Sequence, residues 1–231
     1  MKKIFSLMFL CLFLVSCNKG GGSDSEESAK DLPVTGESTG GTSGGTSGGS
    51  AGGTSGGSTN SGLPNAAYTF DSNILFIGTD SSEQAKFDKA VEIIRDVVAT
   101  EEFRSKVLNH TYNGKKTFVD NGGFTNAQIY QKILDAAEKL FPAKNNAIDM
   151  EVELYYANNT VIGYTMGSSK RIWVNNKYFM TNPLTSVASN LFHEWLHKVG
   201  FGHAQSYSVS RDYSVPYAIG RMIGSIGKQF D

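Results

Sequence analysis

The sequence predicts an α+β domain with a mixed sheet, one long motif-bearing helix and a C-terminal helix. Three observations carry this reading. Apolar residues recur at helical spacing in two segments before residue 141; the period then shortens to two from Ile148 to Tyr156; helical spacing returns after Asn182. In order, Asn73–Gly78 reads as a buried strand, and Ser81 is a plausible N-cap for a helix through Phe87, Ala90, Val91, Ile94, Val97 and Val98. A second helix is expected from Thr125 to Leu140, ended by Phe141 and Pro142. Ile148, Met150, Val152 and Leu154 alternate with Asp149, Glu151 and Glu153, the pattern of a half-exposed strand. Asn158-Asn159 marks a turn, and Val161–Thr165 and Arg171–Val174 supply two further strands. Asn182 can cap the motif helix, with Pro183 at its first position.

The start of the chain has a different character. Lys2 and Lys3 precede an apolar run from Ile4 to Val15, too short for a bilayer span of about 20 residues but suited to an export signal. Leu14-Val15-Ser16-Cys17 resembles the lipobox of bacterial lipoproteins. That resemblance implies removal of residues 1–16, a diacylglycerol on the Cys17 thiol, and export to a bacterial membrane through this lipid anchor. Asn18 in the next position is compatible with the outer membrane or the cell surface. An ordinary secretory signal containing a cysteine is the alternative. Residues 17–62 follow as a Gly/Ser/Thr-rich tether in which Thr-Ser-Gly-Gly recurs at 42, 46 and 54; lacking apolar periodicity, it cannot bury a core. Residues 63–231 remain as one domain. The chain has two cysteines, Cys11 and Cys17, so this domain has neither a disulfide nor a thiolate ligand. The whole chain's formal net charge of −1 lacks the basic excess of a nucleic-acid binder, and no nucleic-acid partner is expected.

Three of the four histidines fall within His193-Glu194-Trp195-Leu196-His197-Lys198-Val199-Gly200-Phe201-Gly202-His203. On a helix, His193 and His197 project from one face a turn apart, where two imidazoles reach one ion. Glu194 is rotated by about 100° and is placed as a general base rather than a ligand. Gly200 can take the left-handed conformation that ends a helix, turning His203 back as third ligand. Three protein ligands with an open position form the catalytic zinc arrangement, whereas structural sites usually close all four. Chance would place the full pattern on the order of once in 10⁵ such chains. Trp195 and Leu196 are expected in the core beneath the site. His110, alone among polar residues, is expected at the surface, and Asp120-Asn121-Gly122-Gly123 reads as a turn.

The motif resembles the metzincin clan of zinc peptidases, H-E-x-x-H-x-x-G-x-x-H, matching at His193, Glu194, His197, Gly200 and His203. The resemblance implies a zincin/metzincin-like fold, Zn²⁺ as cofactor, and Glu194 as general base in the hydrolysis of a peptide or protein substrate. It also implies a methionine turn beyond the third histidine and, in some members, a tyrosine that contacts the metal or the oxyanion. Ser214-Val215-Pro216-Tyr217 looks like a shortened form of that turn, making Tyr217 a candidate transition-state stabiliser and Met222 a candidate turn methionine. Alternatively, Pro216 opens a packing helix that carries Tyr217, Ile219, Ile223, Ile226 and Phe230, with Met222 inside it. The strand Val161–Thr165 is a candidate for pairing with an extended substrate. The expected function is thus a membrane-tethered zinc endopeptidase, with a monomer as the expected state. Two other readings stay open. One is a lipid-anchored binding or adhesion protein whose zinc is closed by a fourth ligand such as Asp212 or Tyr217. The other is a zinc hydrolase of peptidoglycan stem peptides.

Overall fold

The computed structural model of the chain describes residues 14–18, 71–140 and 145–231. The rest of the expected signal (1–16) and tether (17–62) lies outside the described residues, as do Phe141 and Pro142. Among the described residues no helix is long and apolar enough to cross a membrane.

The architecture is α+β. Strands β2 (Asp71–Ile77), β3 (Ala147–Tyr155) and β5 (Arg171–Asn175) run parallel, and β4 (Val161–Met166) lies antiparallel beside β5. These four form a mixed sheet in the order β4-β5-β3-β2. A fifth strand, β1 (Leu14–Asn18), lies antiparallel along the free edge of β4. The cleavage expected before Cys17 would leave only Cys17 and Asn18 of it. Because β2 ends the sheet on the other side, it is not the buried strand expected from its composition: Leu75 and Ile77 are exposed, and only Ile74 and Phe76 lean on the core.

Helix α1 (Ser81–Val98) is capped one residue before the expected position, by Asp80, whose carboxylate accepts from the backbone of Ser82 and Glu83. All six of its expected apolar positions are buried. Helix α2 (Glu101–Leu108), too short to show a clear period, was not foreseen; Thr100 caps it, and Phe103 and Val107 anchor it. Helix α3 (Asn126–Asp135) opens on the capping box of Thr125 and Gln128 but stops five residues before Leu140, at left-handed Ala136. A short α4 (Asn176–Thr181) leads to the motif helix α5 (Leu184–Val199), and a 3₁₀ turn (Ser210–Tyr213) to α6 (Val215–Gly227). Pro183 precedes α5 as its N-cap instead of forming its first turn.

Helix α5 packs on both α1 and α6. Leu191, Phe192, Trp195 and Leu196 are fully buried there, with Ile94 and Val97 of α1 and Ile219 and Ile223 of α6. Each such side chain contributes about 1.5–3 kcal/mol on burial. This packing fixes the rotation of α5, and so decides which of its polar residues face the open side. Met222 sits inside α6, half-buried against the core, so it is not a turn methionine; the apolar periodicity of 215–227 prevails over the resemblance at that position.

Candidate metal centre

Gly200, at φ 111°, ends α5 in the left-handed conformation, and the chain turns back at once. Its N–H bonds to the His197 carbonyl (3.1 Å) and the Phe201 N–H to the Leu196 carbonyl (3.1 Å), the paired bonds of a Schellman turn. Phe201 is buried beneath the turn. The reversal brings the Phe201 carbonyl 2.7 Å from His197 Nδ1 and delivers His203 to the face of α5 that carries His193 and His197.

The three rings converge. His193 Nε2 lies 3.2 Å from His197 Nε2 and 3.3 Å from His203 Nε2. The opposite side of each ring fixes its tautomer. His197 Nδ1 faces the Phe201 carbonyl and His203 Nδ1 the Ala204 carbonyl, at 2.9 Å. The His193 ring is bonded to the backbone of Pro216, which has no N–H and can only accept. Each Nδ1 therefore donates, and each Nε2 presents a lone pair. Three lone pairs facing one point repel one another and cannot hydrogen-bond among themselves. A cation at that point removes the conflict. Tetrahedral ligands 2.0–2.1 Å from zinc stand about 3.3 Å apart, which agrees with the observed separations.

Burial keeps the imidazoles neutral, the form that binds metal: His193 is held well below the usual histidine range, His197 is pushed down to about 3, and His203 is lowered too. The cluster can hold a metal ion. Among the described residues no carboxylate or cysteine joins it. Asp212, considered above as a fourth ligand, lies in an ion pair with Arg221 (3.4 Å).

Glu194 is fully buried and comes close to β4, its Oε1 lying 3.4 Å from where a side chain on Gly163 would begin. The same Cβ would press more tightly on Asn190 Oδ1 (3.0 Å) and the Trp173 carbonyl (3.2 Å). Tyr217, on the first turn of α6, stands with its ring 4.6 Å from His193 and 4.7 Å from His203. Its hydroxyl is buried with no hydrogen-bond partner among the described residues. Tyr217 is thus a residue of α6, as the packing-helix reading expected, with its ring against two of the histidines.

Several residues of this region were not foreseen. Arg211 is buried (4% exposed), its guanidinium 4.4 Å over the Tyr217 ring, and it donates to the Gln205 carbonyl at 3.4 Å. Nothing in Ser210-Arg211-Asp212 distinguishes it from a solvated arginine. Lys198 is equally buried, its Nζ donating to the carbonyls of Met166 (3.2 Å), Ser169 (2.6 Å) and Arg171 (2.8 Å). It thereby ties the β4–β5 turn to the motif helix, and burial pushes its pKa down to about 8. Here a signal existed: Leu191, Trp195 and Lys198 are spaced as one helix face. Trp195 Nε1 donates to Glu138, a buried carboxyl that also accepts from the Asp149 N–H. Asp149 itself, expected on an exposed face, is buried and bonded to Asn73 and Asn145. His110 is half-buried and stacked on Phe118 (4.0 Å), close to Tyr213, and is not the free surface residue expected.

Comparison with protein-family models, with curated protein sequences and with solved structures finds no significant match to this chain.

Proposed function

We propose that the protein is a zinc-dependent endopeptidase of metzincin-like fold, exported and held at a bacterial membrane by a lipid on Cys17. The observation that carries this reading is the convergence of the three Nε2 lone pairs on the helix that bears buried Glu194, with the Tyr217 ring against His193 and His203. Three imidazoles and an open position suit catalysis; a structural zinc would call for a fourth protein ligand.

Zinc held by His193, His197 and His203 would supply Lewis acidity to a scissile carbonyl and acidity to a water molecule. Glu194 takes the proton of the attacking water and later passes it to the leaving amine. Tyr217 is positioned to donate its hydroxyl hydrogen to the developing oxyanion. The substrate aligns as an extended strand on β4, the edge to which Gly163 belongs, with main-chain hydrogen bonds in the manner of β1. Lys198 keeps that edge at a fixed distance from α5.

The test is metal content and peptide hydrolysis by the full-length protein, beside Glu194→Gln. One zinc per chain is expected, with activity lost to a chelator. In Glu194→Gln, kcat should fall by about 10²–10⁴-fold with zinc retained. Full activity in that variant would remove Glu194 from the role of base. Stoichiometric zinc without cleavage of any peptide would favour the binding-protein reading.

A further inference from the structure

Beyond His193 the cleft continues as a groove of about 720 Å³ between the first half of α5 and α6. It begins at His193 and Tyr217 and extends to Asn182, where α5 starts, and to Ile162 on β4. Gly220 and Gly224 let the two helices cross closely along it: a side chain on either would begin 3.3 Å from His193 Cβ or Ser189 Cβ, respectively.

The charge lining the groove is one-sided. Arg221 and Lys228 line it, and no carboxylate does so among the described lining residues. Arg221 is half-exposed and anchored from outside the groove by Asp212. Lys228 is exposed and makes no ion pair among the described residues. Ser186 and Ser189 add hydroxyls, and the buried Asn190 Oδ1 has no partner among the described residues. A carboxylate side chain of a bound peptide finds complementary charge here, whereas a lysine would be repelled.

The direction of the peptide follows from the sheet. An extended chain on β4 lies antiparallel, as β1 does, with Leu14 opposite Met166 and Asn18 opposite Val161. Residues after the point opposite Gly163, where Glu194 approaches, therefore run toward Ile162 and the groove. Residues before it run toward Met166. Building on the peptidase reading of the site, we propose that the groove receives an acidic side chain on the C-terminal side of the cleaved bond, so that the protein cuts preferentially before aspartate or glutamate.

Binding separates this proposal from turnover. The full-length protein, processed as the cell delivers it, carries Glu194→Gln, is loaded with zinc, and is titrated with fluorescent peptides differing only by Asp, Asn or Lys at one position. At one position Asp should bind about three- to tenfold tighter than Asn, with Lys weakest. Arg221→Glu combined with Lys228→Glu should erase or invert that order; Lys228→Gln, a surface change, should weaken it even if the double variant folds poorly. In parallel, mass spectrometry of peptides treated with the unmutated protein should place cuts before the acidic residue. No binding of any peptide, indifference to the three side chains, an Asp preference that survives Lys228→Gln and the double reversal, or cuts at unrelated positions would overturn the proposal. An Asp preference that responds to the variants, without any cutting, would support the groove and remove the peptidase reading instead.

Discussion

The motif helix α5 has two sides that treat polar groups in opposite ways. On the side toward the sheet, the two longest buried polar side chains are answered by protein. Lys198 Nζ has three carbonyls, and the Trp195 indole has Glu138. On the open side, three lone pairs face one another with no donor between them, and the Tyr217 hydroxyl has no partner among the described residues. Buried polar groups that are satisfied hold a fold in one arrangement, whereas lone pairs converging on one point can hold a metal ion.

Mutations on the two sides should therefore separate metal binding and turnover from stability. The largest effect belongs to the open side. His197→Ala should lower zinc affinity by more than about 100-fold, read by metal titration, while the circular dichroism spectrum stays that of the folded protein. Retention of stoichiometric zinc would erase the distinction between the two sides.

Next comes Lys198→Met, which keeps the apolar stem and removes the ammonium. Leaving buried carbonyls without their donor should cost about 2–4 kcal/mol in urea unfolding. Zinc stoichiometry should persist, because none of the three ligands loses a contact. Tyr217→Phe should do the reverse: a fall in kcat of about 10²-fold, with urea stability unchanged. A stability loss without a kinetic one would make Tyr217 a packing residue only.

The smallest effect is a pH dependence on the satisfied side. Burial raises the Glu138 carboxyl to about 6 from the ordinary value of 4.5, with neighbouring Asp149 acting in the same direction and the Trp195 and Asp149 N–H groups opposing. A raised carboxyl binds its proton more tightly in the folded state. Its contribution is thus complete below about pH 4.5 and is lost as pH rises through about 6. Glu138→Gln, permanently neutral and still an acceptor, should be about 2 kcal/mol more stable than the unmodified protein at pH 7.5 and no more stable near pH 4. An equal difference at both pH values would mean that Glu138 acts through packing and not through charge.

Much of the α+β layout could be read from the chain, for identifiable reasons. Long amphipathic runs such as Phe87–Val98 keep one period over several turns, and the alternation at Ile148–Leu154 has a different one. Short elements gave no such signal: α2 has two buried anchors in eight residues, and α4 has one. The second helix was read too long because Ala136, Ala137 and Leu140 extend the pattern. The structure instead turns at Ala136, and Glu138, Trp195 and Asp149 meet beyond that turn. The strand at Asn73–Gly78 looked buried because Ile74-Leu75-Phe76-Ile77 is uniformly apolar, and composition does not say whether a strand lies inside a sheet or at its edge.

The sequence by itself determined the histidine cluster: with helical geometry and a glycine at position 200, His193, His197 and His203 have one place to meet, and the spacing is local enough to be read along the chain. Tertiary structure alone decided what surrounds that place. Arg211, the Arg221–Lys228 groove and the carbonyls that receive Lys198 come from elements separated from the motif by other parts of the chain. Their approach depends on how α5, α6 and β4 pack, which is set by the total burial of the core and not by any local period.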